Sequence, residues 1–368
     1  MSAAARRLLR AAALLVLAGS LAGCANLGYY WQSVSGHLAL MQAARPIDDW
    51  LADPAAPAAL KARLELAQRI RAYAVAELKL PDNASYHRYA DLHRRAAVWN
   101  VVAAPELSLT LHTWCFVAVG CVGYRGYYDE AEAQALAREL QGQGLETSVY
   151  GVPAYSTLGW MNWLGGDPLL NTFIGYPEGE LARLVFHELA HQVVYAKGDT
   201  MFNESFATAV ERLGSQRWLA TQAGEAARRE YADYDARRTQ FKTLTLATRR
   251  RLAAIYEPKP ADVQAQRSMV AMKDVAMQDF RAQYAQLRAA WGGDPARYAG
   301  YDAWVARANN AAFGAQAAYD EQVPAFEALF QREGQDWQRF YDAVKRLAAM
   351  PKNERDRALK AYEETPGA

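Results

Sequence analysis

The chain carries no surplus of positive charge, since its 41 Lys and Arg stand against 40 Asp and Glu for a formal net charge of +1 over 368 residues. With so little positive charge to neutralise phosphates, nucleic acid is not the expected partner. Cysteine is scarce: the three present cannot build a four-thiolate zinc site, and the spacing of a finger built from two cysteines and two histidines is missing. Internal repeats and low-complexity linkers are also absent, which argues against solenoids and tethered modules. What the chain has is apolar bulk. It is 52% hydrophobic and 11% aromatic with 22% charged residues, the composition of a protein that buries a sizeable core.

Residues 1–23 hold Arg6, Arg7 and Arg10, no acidic residue, and the apolar stretch Ala11 to Ala22, too short to span a bilayer as a helix. A basic start, a short apolar run and a small-residue site describe an export signal, the alternative being a buried N-terminal helix. Leu21-Ala22-Gly23-Cys24 resembles a bacterial lipobox. That resemblance implies cleavage before Cys24, lipid on Cys24, and a mature chain of 345 residues once 23 are removed from 368. Losing three arginines from a net +1 leaves −2, so lipid rather than charge must hold the mature protein to a membrane. Ala25, where retained lipoproteins usually carry Asp, implies by the same resemblance the periplasmic face of an outer membrane.

Cys115 and Cys121 remain, six apart with Gly120 between them. In an oxidising compartment they can form a disulfide; the alternative is two buried thiols.

The spacing predicts an amphipathic helix from Pro54 to Leu80, a strand from Ala96 to Ala104 ended by Pro105, a helix from Asp129 to Leu140 and a strand from Leu145 to Val152. Residues 96–175 therefore read as a small mixed α/β region. Beyond about residue 178 the pattern is nearly continuous helix, with breaks expected near Gly198, Gly214, Pro258 to Pro260, Gly292-Gly293 and Pro351. Arg217 to Tyr256 and Ala261 to Trp291 read as a long antiparallel hairpin. The expected organisation is one α+β unit: residues 24–176 mixed α/β, 177–215 two functional helices, and 216–368 helical.

The chemistry concentrates in the segment from Leu181 to Val194. Pro177, Glu178 and Glu180 provide a helix start, and Lys197-Gly198 a stop. His187 and His191 are four apart and so leave one helix face a turn apart, the geometry for two nitrogens to meet one zinc ion. Glu188, the next residue round, is placed to take a proton from water that the metal activates. A third ligand is required. Glu204 is the best candidate, at the start of a second helix expected to be capped by Asn203 and to return antiparallel. Glu211, two turns further along, is expected to orient a ligand histidine.

His187-Glu188-Leu189-Ala190-His191-Gln192 and Asn203-Glu204-Ser205-Phe206-Ala207 resemble elements of the gluzincin metallopeptidases, above all the zinc aminopeptidases. The resemblance implies Zn2+ as cofactor, His187, His191 and Glu204 as its ligands, Glu188 as general base, and a zincin-like metallopeptidase fold. Twelve residues separate His191 from Glu204, fewer than that group usually has, so the connecting loop is shorter here. With the lipobox, Trp114-Cys115, Gly120-Cys121-Val122, Tyr124 to Tyr127, Pro153 to Trp160, Asp167-Pro168-Leu169 and Asn309-Asn310-Ala311, most of the chain is similar to a bacterial family of zinc aminopeptidase lipoproteins. That family's name does not itself separate exopeptidase from endopeptidase action.

Other residues are less distinctive. Tyr155, Tyr176 and Tyr319 are candidates for a proton donor or oxyanion partner, or half-buried packing residues. Tyr155 to Trp160 reads as a substrate-pairing edge strand or an ordinary turn. His37, His87, His93 and His112 have no partner at ligand spacing, and Arg125 with Tyr124 and Tyr127 reads as a carboxylate site or a packed arginine. An aminopeptidase also needs an anion for the substrate's α-amino group, for which Glu178 and Asp167 are candidates; the substrate-binding residues stay unassigned. The expected function is zinc-dependent peptide hydrolysis on the periplasmic side of a membrane, with peptide and membrane as partners. The rivals are an endopeptidase of envelope quality control and a non-catalytic lipoprotein whose Arg217 to Trp291 arm binds a partner.

Overall fold

The computed structural model describes residues 28–116, 120–154, 165–316 and 322–364. Cys24, Tyr319 and the segment from Tyr155 to Trp160 lie outside the described residues. Residues 28–43 form a helix, α1, followed by the short β1 (Arg45–Pro46), α2 (Ile47–Ala52), α3 (Ala58–Ala76) and β2 (Arg88–Ala90). Next come β3 (Val98–Pro105), the hairpin β4 (Trp114–Phe116) and β5 (Gly120–Val122), β6 (Arg125–Tyr127), α4 (Glu130–Gly142) and β7 (Leu145–Val152). After β8 (Leu169–Leu170) the described chain is helical.

The strand β3 explains its own composition. It pairs antiparallel with β6 and, over eight register pairs from Val98↔Val152 to Pro105↔Leu145, with β7. One face, with Trp99, Val101 and Ala103, packs on Ala133, Ala137 and Leu140 of α4, which recur at helical spacing. The other, with Val102 and Ala104, meets Ala311. A strand covered on both faces reads as an unbroken apolar run. Asp129 caps α4, accepting from the Ala131 and Glu132 amides at 2.7 and 3.0 Å. A second sheet, order β1-β2-β8, pairs β1 antiparallel and β8 parallel to β2.

The main core forms where α3, α5 (Glu178–Ala190) and α6 (Thr200–Thr221) meet α11 (Val323–Arg332), α12 (Trp337–Ala348) and α13 (Lys352–Glu364). Phe186 of α5 lies 6.2 Å from the Tyr73 ring, and Phe206 of α6 packs on Phe326, Phe340 and Tyr341. Between these lie α7 (Glu225–Tyr256), α8 (Val263–Trp291), α9 (Ala299–Arg307) and α10 (Asn310–Gln316). The pairs Arg251 with Asp279 and Gln240 with Trp291 show that α7 and α8 run antiparallel. Their inner faces close around Phe241, Phe280, Trp304 and Phe313. Among the described residues no helix is long and apolar enough to cross a membrane.

The structure corrects three expectations. The helix does not break at Gly214: α6 runs through it to Thr221, and the interruption falls before α7. A Cβ at Gly214 would sit 2.7 Å from Leu78 Cδ1 and 3.0 Å from Phe186 Cδ2, so glycine there is the condition for close packing and not a stop. The helix bearing the two histidines ends at Ala190, with His191 as its C-terminal cap, so Gln192 and Val193 already turn. Finally, Asp199 caps α6, accepting from the Phe202 amide at 3.3 Å, while Asn203 lies inside the helix. Asn203 instead ties down the preceding turn: its side chain donates to the Ala196 carbonyl at 2.9 Å and accepts from the Ala196 amide at 2.7 Å.

Candidate metal centre

The two helices that position the centre are locked by different means. Apolar Leu181, Ala182, Val185, Phe186 and Leu189 bury one side of α5, which turns His187 and Glu188 toward the less buried side. Gly198, at φ +75°, makes the reversal into α6. The α6 N-terminus is then pinned through Asp199, almost fully buried, which receives Arg355 Nη2 at 2.6 Å and Lys352 Nζ at 3.1 Å from α13. Burial alone would raise the Asp199 carboxyl, but Arg355, Lys352 and the Phe202 amide hold it below its ordinary value.

This arrangement brings His187, His191 and Glu204 together, with one ligand atom from each within 4.8 Å of the others. His187 Nε2 and His191 Nε2 are 3.1 Å apart, and Glu204 Oε2 lies 3.4 Å from the first and 3.7 Å from the second. A tetrahedral ion with ligands at about 2.0–2.2 Å has ligand-to-ligand edges of about 3.3–3.6 Å. The three separations bracket that value, and the donor set of two imidazoles and a carboxylate suits a divalent transition metal. The residues present therefore fit such an ion.

Glu211 reaches the far side of the His187 ring: Oε2 is 3.0 Å from Nδ1, while the other carboxylate oxygen meets Arg183. With Nδ1–H donating to Glu211, His187 Nε2 offers its lone pair to the centre. Burial pushes the Glu211 carboxyl up, but Arg183 and His187 prevail and bring it down to about 2. Burial likewise opposes the charge on Glu204, whose contacts with His187 and His191 lower its pKa strongly. The His191 Nδ1 atom is buried with no hydrogen-bond partner among the described residues, so nothing comparable orients that ring.

Glu188 completes the site. Burial raises its pKa, helped by Glu204 and Asp167 and opposed by His187 and His191. A carboxyl raised in this way is the better suited to accept a proton and pass it on. Glu188 and His187 line a cleft of about 280 Å³ whose wall also includes Pro153, Ala154, Tyr176, Leu184 and Arg238. Tyr176 is shared with a second hollow of about 760 Å³ that carries Arg63, Glu178, Glu230, Asp233 and Arg237.

Among the other candidates, Tyr176 borders the cleft, whereas Tyr155 and Tyr319 are outside the described residues. Glu178 accepts from the Trp218 indole at 3.0 Å, and buried Asp167 takes Gln192 Nε2 at 3.4 Å. Arg125 lies 4.1 Å over the Tyr29 ring and 5.8 Å from that of Tyr127, the geometry of a packed arginine. Cys115 and Cys121 are joined by a disulfide across the β4–β5 hairpin.

Sequence reasoning missed Arg183, Asp199, Arg355 and Tyr86. Tyr86 has φ +66°, is buried, and its hydroxyl has no hydrogen-bond partner among the described residues. Burial, then Glu188 and Asp167, push its phenol well above the ordinary value, so it is a neutral hydroxyl. Only the capping preference of Asp199 was available as a signal in the sequence.

One family model, described as "Putative aminopeptidase", matches residues 28–359. No curated protein and no solved structure matches the chain.

Proposed function

The chain belongs to this aminopeptidase family, and from that premise we propose that it is a zinc-dependent peptidase which removes N-terminal residues from peptides, anchored by lipid at Cys24 on the periplasmic side of the outer membrane. The convergence of His187 Nε2, His191 Nε2 and Glu204 Oε2 beside the raised carboxyl of Glu188 carries the reading. A base beside a full ligand set is what metal-assisted hydrolysis requires. Two ligand helices beside small sheets also agree with a zincin-like fold.

In this reading His187, His191 and Glu204 hold the ion. A bound divalent ion would supply Lewis acidity, polarising a peptide carbonyl and making water easier to deprotonate. Glu188 takes the proton from the attacking water on its carboxylate and passes it to the leaving amine, a transfer helped by its raised pKa. Glu211 keeps the His187 proton on Nδ1, and Arg183 keeps Glu211 ionised. The apolar wall at Leu184 and Ala154 limits water around the reacting carbonyl.

One observation favours an endopeptidase instead: Tyr176 borders both the cleft and the larger hollow, so a second cavity that a longer substrate could use lies next to the first. The two readings separate in one experiment. Protein purified with its metal, beside Glu188→Gln, receives a peptide with a free N-terminus and the same peptide acetylated, and products are followed by mass. Stepwise loss of single residues from the free peptide only, absent with Glu188→Gln, is the expected result. Internal cuts in both peptides establish the endopeptidase. Stoichiometric metal without cleavage favours the non-catalytic lipoprotein, and a protein that binds no metal overturns the proposal.

A further inference from the structure

Helix α1 has two unlike sides. Its inner side is fastened to the body: Gln32 donates to the Gly126 carbonyl and accepts from the Tyr128 amide, each at 3.2 Å. Tyr29 stacks on Phe116 with ring centres 5.4 Å apart, and Leu40 and Met41 enter the main core. Gly36 lies so close to the Tyr128 ring that a Cβ there would fall 2.2 Å from Cγ. The helix is therefore seated on the fold rather than trailing from it.

Its outer side is exposed and apolar. Trp31 is 72% exposed, Val34 55%, Leu38 46% and Tyr30 42%. Residues 31, 34 and 38 follow the three-and-four spacing of one helix face, a stripe about 11 Å long. Ser35, beside them, spends its hydroxyl on the Trp31 carbonyl at 2.8 Å. From Ala25 to Ala44 the sequence contains no Asp, Glu, Lys or Arg. A charge-free stripe led by Trp and Tyr is poorly suited to bulk water and well suited to the boundary between lipid headgroups and acyl chains.

We propose that this face of α1, Tyr30, Trp31, Val34 and Leu38, lies in the membrane surface and docks the body of the protein against the bilayer. The inference rests on the lipid-anchor reading of Cys24. Trp31 lies seven positions after Cys24, a reach of at most about 25 Å, so acyl chains on Cys24 hold the stripe at the membrane boundary. The acyl chains hold only the chain's start, and burial of an apolar helix face adds a second contact that fixes how the body sits on the surface. Because the stripe is uncharged, its insertion does not depend on anionic lipid or on low salt.

The test uses the full protein, processed and purified from membranes and returned to vesicles of phosphatidylethanolamine with phosphatidylglycerol. Val34→Cys and Leu38→Cys, and Gln286→Cys on the exposed side of α8 as control, each receive a nitroxide; the disulfide keeps Cys115 and Cys121 from labelling. Expected is loss of contact with a water-soluble paramagnetic reagent, and gain of contact with oxygen, at positions 34 and 38 but not 286, unchanged by added salt. Equal water access at all three positions overturns the proposal. So does mutual broadening between labels at position 34 on separate molecules, which would assign the stripe to a second copy of the chain. The intact mass of the same preparation reads the lipid independently. If Cys24 is bare, the anchor reading fails on its own, and flotation of that protein with the vesicles, lost in Trp31→Ser with Leu38→Ser, then decides the face.

Discussion

Glu211 Oε2 lies 3.0 Å from Nδ1 of His187, on the side of the imidazole opposite the Nε2 that faces His191. One carboxylate thus sets the tautomer of one proposed ligand, while Arg183 fixes the carboxylate.

Glu211→Gln should therefore weaken metal binding by about 10–100-fold without removing a ligand, as loss of such outer partners typically does. Competition with a chelator of known affinity measures it. An affinity equal to wild type would deny Glu211 this orienting part.

Replacing the base separates chemistry from binding. Glu188→Gln should lower kcat by about 10²–10⁴-fold, the usual contribution of a positioned acid or base, and leave metal content unchanged. Activity by turnover and metal by elemental analysis on one preparation decide this. Joint loss of metal and activity would make Glu188 a ligand or a folding residue.

The Asp199–Arg355 pair gives the fold an acid-sensitive seat. Burial disfavours the charged carboxylate, but Arg355 and Lys352 hold its pKa below the unfolded value, so folding favours the deprotonated form. Its contribution is complete above the unfolded pKa, about 3.9, and is lost as pH falls through the lower folded value. Asp199→Asn should flatten that acid limb, and Arg355→Ala, which leaves the buried carboxylate to Lys352 and the Phe202 amide, should cost up to about 3 kcal/mol at neutral pH. Denaturant unfolding at stepped pH tests both statements.

Reduction of Cys115–Cys121 should cost little. The bond closes a loop of only six residues' separation, for which chain-entropy reasoning gives about 2 kcal/mol. Thermal unfolding of the Cys115→Ser, Cys121→Ser protein should show a small fall in Tm with the metal affinity kept; loss of metal binding would tie the hairpin to the centre.

Much of this was legible before the fold. Local signals sufficed for β7 and for α4, where Asp129 and helical spacing act within a few residues. They also sufficed to name His187, Glu188, His191, Glu204 and Glu211, which the structure gathers in one place. What failed depended on distant partners. Gly214 looked like a stop because its packing neighbours, Leu78 and Phe186, are remote in sequence. Asn203 looked like a cap because the bonds that make it a clamp on Ala196 form only after the chain turns at Gly198. The left-handed backbone of Tyr86 has no mark in composition at all.

The link from Asp199 to Arg355 spans 156 positions and ties the helix bearing Glu204 to the last described helix. A chain cut short before Lys352 would still hold every proposed ligand, yet lack both cations that seat the helix bearing Glu204. The seat of one proposed ligand is thereby supplied from far along the chain, by a helix that holds none of the ligands itself.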